Sequence, residues 1–214
     1  TSPVDGGRFR LEVGPTLGQL NFASVVADFR RYFPLTRNLT FAARGLHFGR
    51  YGSQLDTNRS TAAIQPYFLG WETFVRGYSY ESITPQECEV ASIEPGSVAG
   101  NCPVFDRLFG HRLAVANLEM RIPLFGTPQF GLLEFSYLPT ELLFFADAGM
   151  AWNNIEEVEL DFVRSSGKRV PVFSAGAGAR FNIMGFLVLE VYYAYPFQRP
   201  TKGPHWGFLL SPGW

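Results

Sequence analysis

Apolar and polar residues alternate with a period of two in eight segments of the chain. In the clearest segment, Phe173 to Asn182, Phe and Ala occupy one parity while Ser, Gly, Arg and Asn occupy the other. Such alternation predicts β-strands with one apolar face, because successive side chains of a strand point to opposite sides. The predicted strands are Arg8–Leu17, Phe22–Phe33, Leu39–Phe48, His111–Ile122, Glu141–Trp152, Phe173–Asn182, Phe186–Tyr195 and His205 to the C-terminus.

The connections between these strands alternate between short and long. This spacing predicts an all-β fold, an antiparallel up-and-down barrel of about eight strands, formed by a single domain over residues 1–214. An even number of strands puts both termini on the side of the short turns. We expect Pro34 to end the second strand, with a short turn over residues 34–38. Residues 123–139 form an unusually apolar connection that we expect to lie along an interface.

The composition favours a barrel whose apolar face meets lipid. Aromatic residues make up 16% of the chain, yet the mean hydropathy is only +0.01 and no apolar run is long enough for a transmembrane helix. A membrane barrel gives this combination because only alternate residues face lipid. A soluble lipocalin-like barrel also alternates, but charges of both signs on the polar parity suit a self-neutralising lumen better. Aromatic residues near strand ends suit the headgroup girdle: Trp152, Tyr193, Tyr195, Trp206 and Trp214.

Several function classes find no support in the composition. The net charge of −1 and the isoelectric point near 6.3 provide no basic field for nucleic acid. The three histidines are scattered, and no metal site is expected. No nucleophile, base and acid stand in a readable arrangement, so the protein is not expected to be an enzyme. No helix is expected to follow Gly176-Ala177-Gly178, which argues against a phosphate cradle there, and no cofactor is expected.

The longest region without strand-like alternation spans about residues 50–110 and contains the sequence YFLGWETFVRGYSY, Tyr67 to Tyr80. Within it Arg76 is followed by Gly77 and flanked by Val75 and Tyr78. A cation followed by glycine among aromatic residues suits a side chain that reaches into a tight space while the backbone turns. An exposed turn with a solvated arginine accounts for these four residues equally well.

Four motifs follow one another along the chain: DFRRYFPL at Asp28–Leu35, VRGY at Val75–Tyr78 after YFLGWETF, NLEMRIPLFG at Asn117–Gly126 and FADAG at Phe145–Gly149. With this order and spacing, nearly the whole chain resembles the C-terminal barrel region of the BamA/TamA-type outer-membrane assembly superfamily, also called bacterial surface antigens. The resemblance covers only the second half of the family's sixteen-stranded barrel, and no periplasmic repeat domain is expected within these residues. Trp71 stands where the family has the second glycine of a GG pair.

The resemblance implies a role for the VRGY turn. In the family its arginine reaches from an extracellular loop into the lumen and meets the aspartate of an F-x-D-x-G motif, which maps onto Arg76 and Asp147. The residues agree, since Asp147 falls on the polar parity and a carboxylate inside a barrel needs a cation. Glu119, on the same parity of the neighbouring strand, is the expected second acceptor. Three glycines on that parity are expected to leave room for the loop: Gly149, Gly176 and Gly178.

Two cysteines, Cys88 and Cys102, lie in the long loop. An extracytoplasmic compartment favours a disulfide between them, with two free thiols as the alternative. The bond would close a loop of about 15 residues and contribute roughly 3 kcal/mol on the chain-entropy account.

The first and last strands need partners, because an unpaired edge in hydrocarbon strands a row of N–H and C=O groups. We expect these two strands to pair within one chain, with the loop seated at the mouth. The alternative is a homo-oligomer in which two chains join edge to edge into a sixteen-stranded ring. The last strand is expected to carry an aromatic C-terminal signal: Trp206, Phe208 and Trp214.

The resemblance implies a bacterial-type outer-membrane barrel with periplasmic termini that helps other proteins insert into or cross the outer membrane. The alternative is a minimal structural or pore-like barrel without assembly activity. The lipid bilayer is the expected partner in both cases, and unfolded outer-membrane proteins are expected as clients only in the first.

Overall fold

The structure, a computed structural model, describes residues 3–52, 64–91, 102–127, 131–135, 137–153, 158–163 and 169–212. Eight long strands form one antiparallel sheet in which each strand pairs with the next long strand along the chain, as the alternation predicted. They are β1 Gly6–Thr16, β2 Phe22–Thr36, β3 Leu39–Tyr51, β6 Arg112–Gly126, β8 Thr140–Trp152, β9 Val172–Ile183, β10 Leu187–Pro196 and β11 His205–Pro212. The all-β, up-and-down fold is therefore confirmed. Three strands of two residues complete the set: β4 Tyr67–Phe68, β5 Phe109–Gly110 and β7 Leu133–Glu134.

The connection between β3 and β6 carries regular structure that the sequence pattern did not predict. β4 and β5 pair with each other as a separate two-stranded sheet. Between them lie a 3₁₀ turn, Tyr80–Ser82, and two short helices, Pro85–Ala91 and Pro103–Asp106. A strand of two residues is too short to show a period, so alternation could not reveal it. None of the helices in the described ranges has the length and apolar character needed to cross a membrane.

Pro34 and Pro123 lie inside strands, which corrects the prediction that Pro34 ends the second strand and that Pro123 begins a connection. β2 continues to Thr36 with a register shift after Pro34, and β6 continues to Gly126. The pairing of β1 with β2 ends at Tyr32, so Pro34 lies where β2 is itself an edge, and edges tolerate the missing N–H of proline. Pro123 lies in the same way beyond the last residue pair of β3 with β6.

Part of the apolar connection after β6 folds back along the end of that strand. Leu132 N donates to Pro123 O at 3.0 Å, and Phe135 N donates to Gly126 O at 3.1 Å. β7 thereby pairs in parallel with the end of β6. The backbone groups that β6 exposes beyond β3 therefore find partners within the same connection.

The two faces of the sheet differ in what covers them. The long loop packs on one face, called the inner face here, and buries a cluster with side chains of β3, β6, β8 and β9. The opposite, outer face is apolar and exposed along the strands: Phe9, Leu11, Val13, Phe29, Leu118, Met120, Phe144, Trp206, Phe208 and Leu210. An apolar outer face with charges on the other side is the pattern of a membrane barrel wall.

β1 and β11 are the two ends of the strand order, so the expected pairing of first and last strands is absent from the described residues. β1 is exposed on both faces, since Arg10 and Glu12 on its inner side retain 59% and 53% side-chain exposure. The loop occupies the space in front of β3, β6, β8 and β9 on the inner face, whereas an eight-stranded barrel has room only for its own side chains. Trp214, predicted as the end of the C-terminal signal, lies outside the described residues.

Phe144 is expected to contact lipid, because it lies mid-strand on the outer face. Replacing Phe144 with Arg should make folding into vesicles less favourable by about 2–4 kcal/mol, the cost of a cation near the bilayer midplane. Urea titration in phospholipid vesicles measures the difference. Leu160→Arg, at an exposed position outside the strands, is the matched control, and equal effects of both substitutions would contradict the lipid assignment.

Candidate functional site

The VRGY segment forms a tight turn on the inner face. Phe74 N and Val75 N both donate to Trp71 O, at 2.8 and 3.1 Å. Gly77 has φ of +86°, a conformation that side chains disfavour, and a Cβ there would lie 3.3 Å from Ala194 Cβ. The turn thus needs glycine after the arginine, which directs Arg76 towards the sheet.

Arg76 forms a two-pronged ion pair with Asp147 of β8. Its Nε lies 2.8 Å from Asp147 Oδ2, its Nη2 lies 2.8 Å from Oδ1, and its backbone N donates to Oδ2 at 3.2 Å. The Asp147 side chain has no exposed surface. Such a bidentate pair fixes orientation as well as charge, because the planar guanidinium matches the carboxylate.

The remaining guanidinium nitrogen joins two further strands. Arg76 Nη1 lies 3.0 Å from Glu119 Oε1 on β6 and 2.9 Å from Glu190 Oε1 on β10. Its Cζ lies 3.7 Å from the ring centre of Phe145, a cation–π contact. The structure therefore brings Arg76 to both acceptors predicted for it, and adds Glu190 and Phe145, which the sequence reasoning had not assigned to it.

Two more arginines balance the charge of the acceptors. Arg121 Nη2 lies 2.7 Å from Glu119 Oε2, and Arg180 Nη2 lies 2.6 Å from Glu190 Oε2. With Arg76 and Asp147, the cluster contains three guanidinium groups and three carboxylates. These six groups balance one another, which lets them lie buried on the inner face, and Glu141 adds one partly exposed carboxylate at the edge of the cluster, 3.8 Å from Arg180 Nη1.

Asn117 links the turn to the ion pair. It lies opposite Asp147 in the register of β6 with β8, and its Nδ2 contacts Asp147 Oδ1 at 2.9 Å. The same Nδ2 donates to Phe74 O at 2.7 Å. One side-chain amide therefore satisfies both the backbone of the turn and the carboxylate that the turn's arginine contacts.

The three predicted clearance glycines occupy different surroundings. A Cβ on Gly149 would lie 2.6 Å from Val75 Cγ2, so this glycine lies directly under the loop. A Cβ on Gly176 would instead meet the Phe145 ring and the Tyr193 carbonyl, and one on Gly178 would meet the backbone of Val191 and Tyr192. Gly176 thus makes room for the ring on which Arg76 rests.

The residues beside Arg76 anchor the turn by packing. Val75 and Tyr78 are fully buried in the cluster under the loop. Tyr78 Oη donates to Phe173 O at 3.0 Å and accepts from Gln198 N at 3.0 Å. Burial raises the pKa of the Tyr78 phenol above its ordinary value.

Cys88 and Cys102 form a disulfide, as predicted, with Cα atoms 4.5 Å apart. The bond joins the helix Pro85–Ala91 to the residue that precedes the helix Pro103–Asp106. It therefore holds the two helices of the loop together.

A comparison with protein-family models matches residues 2–213 to the Omp85 superfamily domain. The chain belongs to the Omp85 superfamily. The family places this chain, at a coarse level, among outer-membrane β-barrel proteins of protein assembly and translocation. A comparison with curated proteins found no match.

Two further features of this Omp85 domain bear on what the site can hold. A cavity of about 360 Å³ adjoins the arginine cluster and is lined by charged side chains that include Arg30, Arg44 and Glu72. In the described part of the chain, no three His, Cys, Asp or Glu residues are grouped where they could hold a metal ion. The predicted signal residues Trp206 and Phe208 lie exposed on the outer face of β11.

Arg76→Ala should lower the free energy of unfolding by about 3–5 kcal/mol, because it leaves Asp147 and Glu190 buried without their shared cation. Urea unfolding and limited proteolysis of residues 64–91 measure the effect. Arg10→Ala, which removes an exposed ion pair with Glu12, is the control and should leave the midpoint almost unchanged. Wild-type stability and protease resistance in Arg76→Ala would contradict the assignment of Arg76 as the anchor of the loop.

Proposed function

We propose that this Omp85 domain helps unfolded proteins insert into or cross a bacterial-type outer membrane. One observation carries the proposal: the described sheet ends on two strands, β1 and β11, that pair on one side only. A free edge offers N–H and C=O groups to an incoming strand, and strand addition is a common mode of binding extended chains. In a bilayer such pairing is strongly favoured, because unpaired backbone groups are costly in hydrocarbon.

The outer face beside the edge suits a strand that is destined for the membrane. Phe9, Leu11 and Val13 on β1 are exposed and apolar, so an incoming strand with alternating residues could place its own apolar side beside them. Its polar side would then lie beside Arg10 and Glu12 on the inner side. Both parities of a client strand would therefore find matching surroundings.

The buried arginine cluster supports this role by stiffening the middle of the sheet. The three carboxylates that Arg76 contacts belong to β6, β8 and β10, each of which is paired with a strand on both sides. The two edge strands take no part in these ion pairs. The loop therefore ties down interior strands of the wall through these ion pairs, which leave the edge strand β1 free to exchange partners.

A photo-crosslinking residue on β1 tests the proposal. The protein is reconstituted in liposomes, and a urea-unfolded outer-membrane β-barrel protein is added. A probe at Val13 should cross-link to the client during its insertion, whereas a probe at Ala177, exposed on the central strand β9, should not. The client should also fold faster than in empty liposomes. Absence of both the cross-link and the acceleration would reject assembly activity.

A pore-like barrel is the second candidate, and the charged cavity of about 360 Å³ beside the arginine cluster favours it. Planar-bilayer recordings separate the two functions. Steady conductance without any effect on client folding would favour the pore, whereas client folding without steady conductance would favour assembly.

We further propose that both termini face the periplasm, which labelling on intact cells can test. A cysteine at Thr201, in the connection between β10 and β11, should react with an impermeant maleimide. A cysteine at Arg37, in the turn between β2 and β3 at the opposite rim, should not react until the cells are broken. The two native cysteines are joined in the disulfide and supply no background. The reverse pattern would invert the topology.

A further inference from the structure

The connection between β10 and β11 contains the largest side chain without exposed surface in the described residues, Arg199. Its neighbour Gln198 is also fully buried. Connections usually run over the protein surface, so two successive buried polar residues in one of them need an explanation. Neither residue contacts the Arg76 cluster through any hydrogen bond described for it.

Arg199 holds the long loop through charge-assisted hydrogen bonds at three positions. Its Nε and Nη2 donate to the two oxygens of Glu87 at 2.8 and 2.7 Å. Its Nη1 donates to Gly77 O at 2.7 Å and to Ser82 Oγ at 2.8 Å, and its Nη2 also donates to Ser82 O at 2.6 Å. The guanidinium therefore joins the VRGY turn, the 3₁₀ turn and the helix that follows.

Glu87 is itself fixed within the loop. It accepts from Thr84 N at 3.0 Å, which caps the start of the helix Pro85–Ala91, and the next residue, Cys88, is in the disulfide. Burial by itself raises the pKa of Glu87, but hydrogen bonds from Arg199 and Thr84 outweigh burial and leave that pKa below its ordinary value. The carboxylate is therefore charged and rigidly placed when it meets Arg199.

Gln198 adds a second connection at the same point. Its backbone N donates to Tyr78 Oη at 3.0 Å, and its Oε1 accepts from Phe173 N at 2.7 Å. The connection, the loop and the start of β9 thus meet around two residues. Arg199 lies between the end of β10 at Pro196 and the start of β11 at His205.

We propose that Arg199 and Gln198 form a clasp that couples the long loop to the edge strand β11, so that neither moves without the other. The physical reason is that the clasp cannot follow a displacement of β11 without breaking its buried hydrogen bonds to the loop. Release of the loop, in turn, removes the partners of a buried guanidinium and frees the connection that holds the first residues of β11. The inference concerns how the long loop and β11 move together, and it applies to an assembly factor and to a pore alike.

Hydrogen exchange in detergent or lipid distinguishes this clasp from a local anchor. Arg199→Gln should speed amide exchange about 10- to 100-fold in residues 77–88, because buried charged hydrogen bonds are lost. The same variant should also speed exchange at the β10–β11 residue pairs nearest the clasp, Ala194 with His205 and Tyr193 with Trp206. Exchange in the pairing of β8 with β9 should stay at its wild-type rate.

Lys202→Gln is the matched control, because it removes one positive charge from the same connection and no described side-chain hydrogen bond involves Lys202. It should change neither region. If Arg199→Gln loosens the loop but leaves the β10–β11 pairs unchanged, Arg199 is an anchor only and the coupling is refuted. If neither region responds, the clasp itself is refuted.

Glu87→Gln tests the coupling from the loop side and serves if Arg199→Gln does not fold. It keeps the shape of the side chain and removes its charge, and it lies 112 positions from Arg199 in the sequence. Because coupling is reciprocal, this substitution in the loop should speed exchange at the β10–β11 pairs as well. An effect confined to the loop would overturn the proposal.

Discussion

The structure depends on one buried guanidinium group, that of Arg76. Arg76 is buried on the inner face, and it is stable there because carboxylates from β6, β8 and β10 surround it and Arg121 and Arg180 neutralise the excess negative charge. Each of these groups is acceptable in the interior only while the others are present. The spacing of three strands and the seating of the loop are thus set by one cluster of charges.

Much of this arrangement could be predicted from the sequence, because alternation is a direct record of which face a residue occupies. The eight long strands follow from it, and so does the placement of Asp147 and Glu119 on the inner side. The resemblance to a family then connected Arg76 to Asp147, which lies 71 positions away. Parity alone could not have made that connection, since it assigns a face without assigning a depth along the strand.

The same limitation explains what the sequence reasoning missed. The alternation of β10 puts Glu190 on the polar side of its strand, but only the registers of the intervening strands bring it level with Arg76. Arg199 lies in a connection without any period, so no pattern marked it as buried. A local signal did exist at its partner, because Thr84 and Glu87 have the spacing of a capping box. The prediction that Pro34 ends the second strand was wrong because a strand can contain proline beyond the point where its neighbour ends, and the sequence of β2 does not reveal that point.

Gly149 has a meaning beyond packing. Its hydrogen atom occupies the place where a methyl group would touch Val75, so the residue is restricted by the loop rather than by its own strand. Among relatives of this chain, the two positions should therefore vary together over evolutionary time. A descendant that shortened or lost the loop would be released from this restriction, and a larger residue could then spread at position 149. The identity of one wall residue would thus record, in sequence alone, whether the lumen of that relative is still occupied.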